Sequence, residues 1–204
     1  MTVDNILSLV EPELASEAHG WDPTTVTSGS NVRRPWVCRL SHVWEATVAN
    51  RVKGTGCPYC NGKKVLAGFN DLATTNPELA AQACDWDPTT VTSGSDRVVE
   101  WRCDQGHQWQ AKVCTRNRGA SCPYCAGKKV LAGFNDLATT HPELAEQAYH
   151  WDPTTVTAGS NKITTWRCEL DHFWEASVNN RSHGSGCPDC YQLRRQVDQR
   201  LQIA

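Results

Sequence analysis

The chain has 204 residues, a hydrophobic content of 39%, a formal net charge of −2 and a mean hydropathy of −0.52. No apolar run approaches the roughly 20 residues of a membrane-spanning helix, and the first residues lack the pattern of a secretory signal, so we expect a cytoplasmic protein. That compartment keeps thiols reduced, and the eleven cysteines are therefore expected to bind metal rather than to form disulfides.

The chain consists of three copies of one unit. The motif WDPTTVT occurs at 21–27, 86–92 and 151–157, an offset of 65 residues each time. At this offset all nine tryptophans and nine of the eleven cysteines fall into register. The repeat predicts three domains, at 1–65, 66–130 and 131–204, with a terminal helix in the last.

Each unit predicts the same elements in the same order. The segment TTNPELAAQA and its counterparts favour a helix with proline in its first turn. The segment WDPTTVTSGS then supplies a turn, and VVEWRC and HQWQAKV predict two strands. A loop, TRNRGAS, leads to CPYC and a short polar turn. The fold class is therefore small α+β, metal-stabilised modules. In the last unit, Leu193, Val197 and Leu201 are spaced four apart and predict a terminal helix that packs back on the array.

A metal-ligand pattern, C-x3-H-x14-C-x2-C, is identical in all three units. Three thiolates with one imidazole form a closed structural zinc set, which leaves no position for a catalytic water. The pattern predicts three structural Zn²⁺ ions per chain. The predicted ligand sets are Cys38, His42, Cys57 and Cys60; Cys103, His107, Cys122 and Cys125; and Cys168, His172, Cys187 and Cys190.

Other positions in register contribute to the small cores. Trp101 and Trp109 flank a Cys/His pair at spacings that point to one face of extended chain. Core packing is the favoured role for such tryptophans, with stacking on nucleic-acid bases as the alternative. Cys84 and Cys114 fall outside the register and are interpreted as small, partly buried side chains.

The pattern W-x-C-x3-H-x-W-x-A-x-V-x2-R followed by C-P-x-C, with NDLATTNPELA and WDPTT before it, resembles the bacterial probable zinc-ribbon domain. The resemblance covers nearly the whole chain. It implies a treble-clef zinc finger in each unit: a zinc knuckle, a β-hairpin, then a helix or helical turn carrying the last two ligands. Some family members are fused to an endonuclease domain, for which this chain has no room. The implied function is nucleic-acid binding.

Charge is segregated along the chain. Residues 32–64 carry seven basic and one acidic residue, residues 97–129 carry seven and two, and residues 162–195 carry five and four. Clustered basic residues are typical of proteins that bind a phosphate backbone. The candidate nucleic-acid contacts are Arg51, Lys53, Lys63, Lys64, Arg116, Arg118, Lys128, Lys129 and Arg181. The alternative for these positions is a bond to a nearby carbonyl or carboxylate, or simple solvation.

Three classes of function compete. The favoured one is a non-catalytic array that binds nucleic acid, with double-stranded DNA as the expected partner and no membrane contact. The second is a protein-interaction scaffold. The third is an HNH-like nuclease, which would need a free histidine beside an open metal position, whereas the repeated histidine is used here as a ligand. We therefore expect that the protein is not an enzyme.

Overall fold

The computed structural model describes residues 5–201, with side chains through residue 199. Its internal contacts divide it into two compact units, with the division in the chain between Ala120 and Ser121. The same succession of elements occurs three times along the chain: two one-turn helices, a hairpin and a third short helix. The first set comprises α1 (Leu7–Val10), α2 (Pro12–Ala15), β1 (Arg33–Val37), β2 (Val43–Thr47) and α3 (Val48–Val52). The second comprises α4 (Leu72–Thr75), α5 (Pro77–Ala80), β3 (Val98–Arg102), β4 (Gln108–Lys112) and α6 (Val113–Asn117). The third comprises α7 (Leu137–Thr140), α8 (Pro142–Ala145), β5 (Ile163–Arg167), β6 (Phe173–Ser177), α9 (Val178–Ser182) and the terminal α10 (Pro188–Leu201).

The predicted helix with proline in its first turn is present but short. Pro77 begins α5, where its missing N–H removes no helical hydrogen bond. The helix ends at Ala80, and Ala83 instead forms an isolated antiparallel bridge with Trp101. One turn of helix is not stable by itself. The segment is therefore held by the hairpin against which it packs.

Buried aspartates cap α4 and α7, the helices that come directly before α5 and α8. Asp71 is fully buried and accepts hydrogen bonds from the Thr74 amide at 2.9 Å, the Thr74 hydroxyl at 2.7 Å and the Gly68 amide at 2.6 Å. Asp136 makes the same three bonds at the start of α7. A carboxylate with three donors satisfies amides that a helix N-terminus leaves without partners. Each cap thereby fixes the chain that leads into the next hairpin.

The two predicted strands form an antiparallel hairpin in every repeat. Trp36 pairs with Trp44 in the first, Trp101 with Trp109 in the second and Trp166 with Trp174 in the third. This register places both tryptophans on the inner face. The segment that follows each hairpin was predicted as a loop, but Val113–Asn117 and its counterparts are short helices. Their first residue, a valine, is fully buried and anchors them to the hairpin.

The tryptophans are core residues, as predicted. Trp36, Trp101 and Trp166 have no exposed surface, and each donates its indole N–H to a carbonyl of the partner strand at 3.0–3.1 Å. In the first repeat, Trp36 and Trp44 pack with Leu7, Val26 and Val48. Cys84 and Cys114 are buried, which confirms their interpretation as small interior side chains.

The terminal helix α10 exists, but the predicted packing of its apolar residues is wrong. Leu193 is 48% exposed and Val197 is 55% exposed, while the Leu201 side chain lies outside the described residues. Charged residues surround these two side chains in the sequence QLRRQVDQR, so the helix offers too little apolar surface to dock. Between residues 5 and 201, no helix combines the length and the apolar character that crossing a membrane requires.

We predict that Asp71→Ala lowers the free energy of unfolding by about 1–2 kcal/mol at neutral pH, because it removes a helix cap. The hydrogen bond from the Thr74 hydroxyl is the main cause that holds the pKa of Asp71 below its usual value, despite opposing desolvation. A lowered folded-state pKa means that the contribution is complete above the ordinary pKa of about 4 and is lost as pH falls further. Urea unfolding of zinc-loaded protein measures the loss, and the exposed cap variant Asp87→Ala should lose less. Equal losses in the two variants would contradict this account of the buried cap.

Candidate metal centre

The first half of each metal centre is the loop of the hairpin. Cys38 follows β1 and His42 precedes β2, and the Cys38 amide donates to the His42 carbonyl at 3.1 Å. The Ser41 amide closes the turn on the Cys38 carbonyl at 2.8 Å. Ser41 has a positive φ of 63°, and the equivalent Gly106 has a φ of 80°. The left-handed residue reverses the chain tightly enough for the Cys and His side chains to face one another.

The second half is the CPxC turn, which follows the short helix after the hairpin. In all three repeats the structure brings the four predicted ligands together, with all ligand atoms within 4.8 Å of one another. The first cysteine of each CPxC pair, as in Cys57, is buried, and the second is the more exposed member of the pair. In the third repeat the turn continues into α10, which carries Cys190. All twelve predicted ligand positions thus fall into three clusters.

The distances within the clusters fit a tetrahedral zinc ion. With bond lengths of about 2.3 Å to sulfur and about 2.0 Å to nitrogen, two ligand atoms should lie about 3.5–3.8 Å apart. The sulfurs of Cys38 and Cys60 are 3.7 Å apart, as are those of Cys168 and Cys190. The distance from His172 Nδ1 is 3.4 Å to Cys190 Sγ and 3.6 Å to Cys187 Sγ. The chain therefore contains three Cys3His sites consistent with three structural zinc ions.

Repulsion between the closely spaced thiolates of a cluster also favours a bound cation. Burial, together with the neighbouring thiols of Cys168 and Cys187, raises the pKa of the Cys190 thiol to about 11. Desolvation also acts to raise the pKa of Cys168, but backbone amides and the other thiols outweigh it and lower the value to about 7. Cys168 thus loses its proton readily, whereas burial and the neighbouring thiols oppose deprotonation of Cys190. A bound zinc ion would balance the negative charge of all three thiolates, and acid would release it as the thiolates take up protons.

The structure places three of the candidate nucleic-acid contacts in the interior. Arg51, Arg116 and Arg181 are only 7–8% exposed. The Arg51 guanidinium lies 5.2 Å from the Trp36 ring and 5.1 Å from the Trp44 ring, and it donates to the Thr55 carbonyl and the Glu17 carboxylate.

The other two arginines repeat this arrangement, with Gln82 and Gln147 in place of the carboxylate. Because these guanidinium groups are used inside the module, the prediction that they contact phosphates does not agree with the structure. The alternative stated for them, bonding to carbonyls and to a neighbouring side chain, describes what is seen. Identity of this arginine in all three repeats was the available signal, since the nearby position held by Lys53, Arg118 and His183 varies.

The remaining six candidate contacts lie on the surface. These are Lys53, Lys63, Lys64, Arg118, Lys128 and Lys129, and all are exposed. Residues 61–64, which carry Lys63 and Lys64, form turns and bends. The backbone there is held by Asn70, whose side-chain amide donates to the carbonyls of Tyr59 and Lys64 at 2.7 and 2.8 Å.

Asn135 repeats this brace on Tyr124 and Lys129. The two asparagines, like the capping aspartates beside them, were missed by sequence reasoning. Their signal was the identical segment GKKVLAGFNDLATT, in whose middle part, VLAGFNDLA, asparagine and aspartate are the polar residues among apolar and small ones.

Three hairpin modules, each closed by a Cys3His cluster, define a tandem zinc-finger protein. The family described as probable treble clef zinc finger domain matches the chain at residues 13–63, 78–128 and 143–193. These segments make up most of the chain, which therefore belongs to this family, in three tandem copies. Among curated proteins, none matches the chain.

The matched segments fall inside the predicted domains 1–65, 66–130 and 131–204 but do not set their boundaries. Those boundaries stay a prediction.

We predict that the purified chain contains three zinc ions and that Cys57→Ser lowers the content to two, because three protein ligands hold zinc less tightly than four. The control is Cys114→Ala, which alters a buried cysteine outside the clusters and should leave the content at three. Elemental analysis of unchelated protein measures both. Three zinc ions in Cys57→Ser would contradict the assigned ligand set.

We also predict that Arg181→Lys lowers the free energy of unfolding by about 1–3 kcal/mol, since lysine cannot make both hydrogen bonds or stack between two rings. The matched exposed change, Arg167→Lys, should cost less. Thermal or urea unfolding of zinc-loaded protein compares the two. Equal stability of both variants with the unaltered chain would refute the structural role of Arg181.

Proposed function

We propose that this protein binds nucleic acid, double-stranded DNA in particular, through exposed basic side chains that its zinc modules hold in place. The proposed role is non-catalytic, because four protein ligands complete each metal centre and the zinc then serves the fold. We further propose that it acts in the cytoplasm. All eleven cysteines are free of disulfides, which suits a reducing compartment.

The observation that carries the proposal is the free positive charge on the first two repeats. Lys53, Lys63 and Lys64 are exposed and form no ion pair with any residue between 5 and 201. The same holds for Lys128 and Lys129. Lysines without a carboxylate partner leave their charge available to phosphate, and neutralising phosphates is the main source of affinity for DNA.

The third repeat has fewer unpaired basic residues at the equivalent positions than the first two repeats. The positions of Lys63 and Lys64 are occupied there by Leu193 and Arg194. Arg167, another of its cations, lies 3.7 Å from Asp171 in an exposed ion pair. We therefore propose that the first two repeats supply most of the binding energy, and that the third contributes little.

The predicted consequence is salt-dependent binding. The logarithm of the affinity should fall linearly with the logarithm of salt concentration, with a slope of up to about −5 if all six exposed residues contact phosphates. The combined change Arg118→Ala, Lys128→Ala and Lys129→Ala should reduce that slope by up to about 3. Fluorescence anisotropy of a short labelled duplex measures both quantities. Lys162→Ala, an exposed lysine of the third repeat, is the control and should have little effect. Affinity that does not change with salt would overturn the proposal.

A protein-interaction scaffold is the second candidate, and exposed apolar side chains of the third repeat favour it. Ile163 is 66% exposed, Leu170 is 64% exposed and Phe173 is 51% exposed, and Phe173 stacks edge-on against Tyr149 at 4.8 Å. Apolar surface of this kind is typical of protein contacts. A scaffold function would be lost in Phe173→Ser and would survive nuclease treatment, whereas duplex binding should be unaffected by Phe173→Ser.

A further inference from the structure

A cavity of about 340 Å³ lies beside the hairpin of the first repeat. One wall comes from the second strand and the helix that follows it, with Trp44, Thr47 and Asn50. The other wall comes from the turn after the CPxC pair, with Asn61, Lys63 and Lys64. Arg33 and Glu45 stand at the rim.

The indole N–H of Trp44 is the first pointer to a ligand. Six of the nine tryptophans donate their N–H to a backbone carbonyl of a hairpin. Trp44 is 6% exposed, its Nε1 is buried, and this atom has no hydrogen-bond partner. A buried donor without an acceptor is rare in folded proteins. Trp44 is also one of the residues that line the cavity.

Charge at the cavity indicates an anion. Lys63 and Lys64 carry two positive charges with no ion pair to any described residue. The single carboxylate of the lining, Glu45, is balanced by Arg33, whose Nε lies 3.7 Å from it. The lining therefore has a net positive charge of two lysines, together with amide and hydroxyl groups that can donate hydrogen bonds.

The lysine wall is held in position before any ligand arrives. Asn70 donates to the carbonyls of Tyr59 and Lys64, and its own side-chain oxygen accepts from the Leu66 amide at 2.7 Å. The Lys64 amide donates to the Pro58 carbonyl at 2.9 Å, and the Lys63 amide to the Asn61 side chain at 3.2 Å. A cationic loop that is already ordered loses less conformational entropy when it binds.

We propose that this cavity binds a backbone phosphate of a nucleic-acid strand, with the Trp44 N–H as a hydrogen-bond donor and Lys63 and Lys64 as its charge partners. This inference rests on the proposed function and locates one of its contacts. The third repeat provides a natural comparison, because it keeps the tryptophan, as Trp174, but replaces the position of Lys63 by Leu193.

The test combines affinity with a signal from Trp44 itself. In ¹⁵N-labelled protein the indole N–H resonance of Trp44 is identified as the one missing in Trp44→Phe. Addition of a short DNA duplex should shift this resonance. The double change Lys63→Ala and Lys64→Ala should abolish the shift and reduce the salt slope of binding by about 2, since two phosphate contacts are lost.

Two matched variants serve as controls. Arg194→Ala with Arg195→Ala removes the same net charge from exposed positions of the third repeat and should leave the Trp44 shift intact. Trp44→Phe should weaken duplex binding by about threefold to tenfold, as expected for the loss of one hydrogen bond, while Trp174→Phe should not. Zinc content and circular dichroism verify that each variant is folded. The lysine variants change only exposed side chains, and the proposal is therefore testable even if Trp44→Phe proves unstable.

The outcomes separate this inference from the proposed function. In one outcome the duplex binds, the Trp44 resonance does not shift, and the Lys63/Lys64 and Arg194/Arg195 double variants bind with equal affinity. The cavity is then not a phosphate site, and the proposed function stands. If no duplex binds, the proposed function fails and this inference fails with it. In a last experiment, inorganic phosphate is titrated into the protein at constant ionic strength while the Trp44 resonance is followed. A Trp44 shift with phosphate but not with the duplex would assign the cavity to a free anion and overturn the nucleic-acid ligand.

Discussion

Each repeat depends on a metal cluster that joins two distant parts of a short chain. One part is the tight loop of a two-stranded hairpin, and the other is a CPxC turn that begins after fourteen intervening residues, fifteen positions beyond the histidine. An isolated hairpin is at best marginally stable in water, and the surrounding helices are single turns that cannot form alone. Zinc binding in such modules contributes folding energy directly. Loss of the cluster would therefore leave the hairpin and its helices without their main cross-link.

The interior beside the metal is built from aromatic rings and one cation. A buried guanidinium between two tryptophans binds a carbonyl just before the CPxC turn and a side chain just after the first pair of helices. It thereby connects the chain before the CPxC turn to the segment after the first pair of helices, which holds no zinc ligand. Arginine suits this position because its planar group can stack on rings and donate several hydrogen bonds at once. The small core thus gains a polar cross-link where a longer chain would use more apolar side chains.

The three repeats share a framework and differ on the surface. Ligands, tryptophans and the buried arginine are the same in each, whereas the lysine pair of the first two repeats is Leu193 and Arg194 in the third. Burial explains the difference, since a change at an exposed position leaves the core intact. A repeated scaffold with a variable surface allows one fold to carry an exposed lysine pair in two repeats and Leu193 with Arg194 in the third. That difference supports the proposal that the first two repeats supply most of the phosphate contacts.

The sequence by itself determined the repeat, the twelve metal ligands, the two strands of each hairpin and the inward position of the tryptophans. These features follow from residue identity and spacing: thiolates and imidazole at fixed intervals define a zinc set, and alternation defines a strand face. Only the tertiary structure decided what the basic residues do. Arg51 and Lys53 stand two positions apart, yet one is buried between rings and the other is exposed. Their difference depends on groups brought from Glu17, Trp36 and Thr55, which no local pattern connects. The exposure of the terminal helix and the unpartnered N–H of Trp44 also could not be predicted from the sequence. Burial and hydrogen-bond satisfaction depend on how the molecule packs, and not on local sequence.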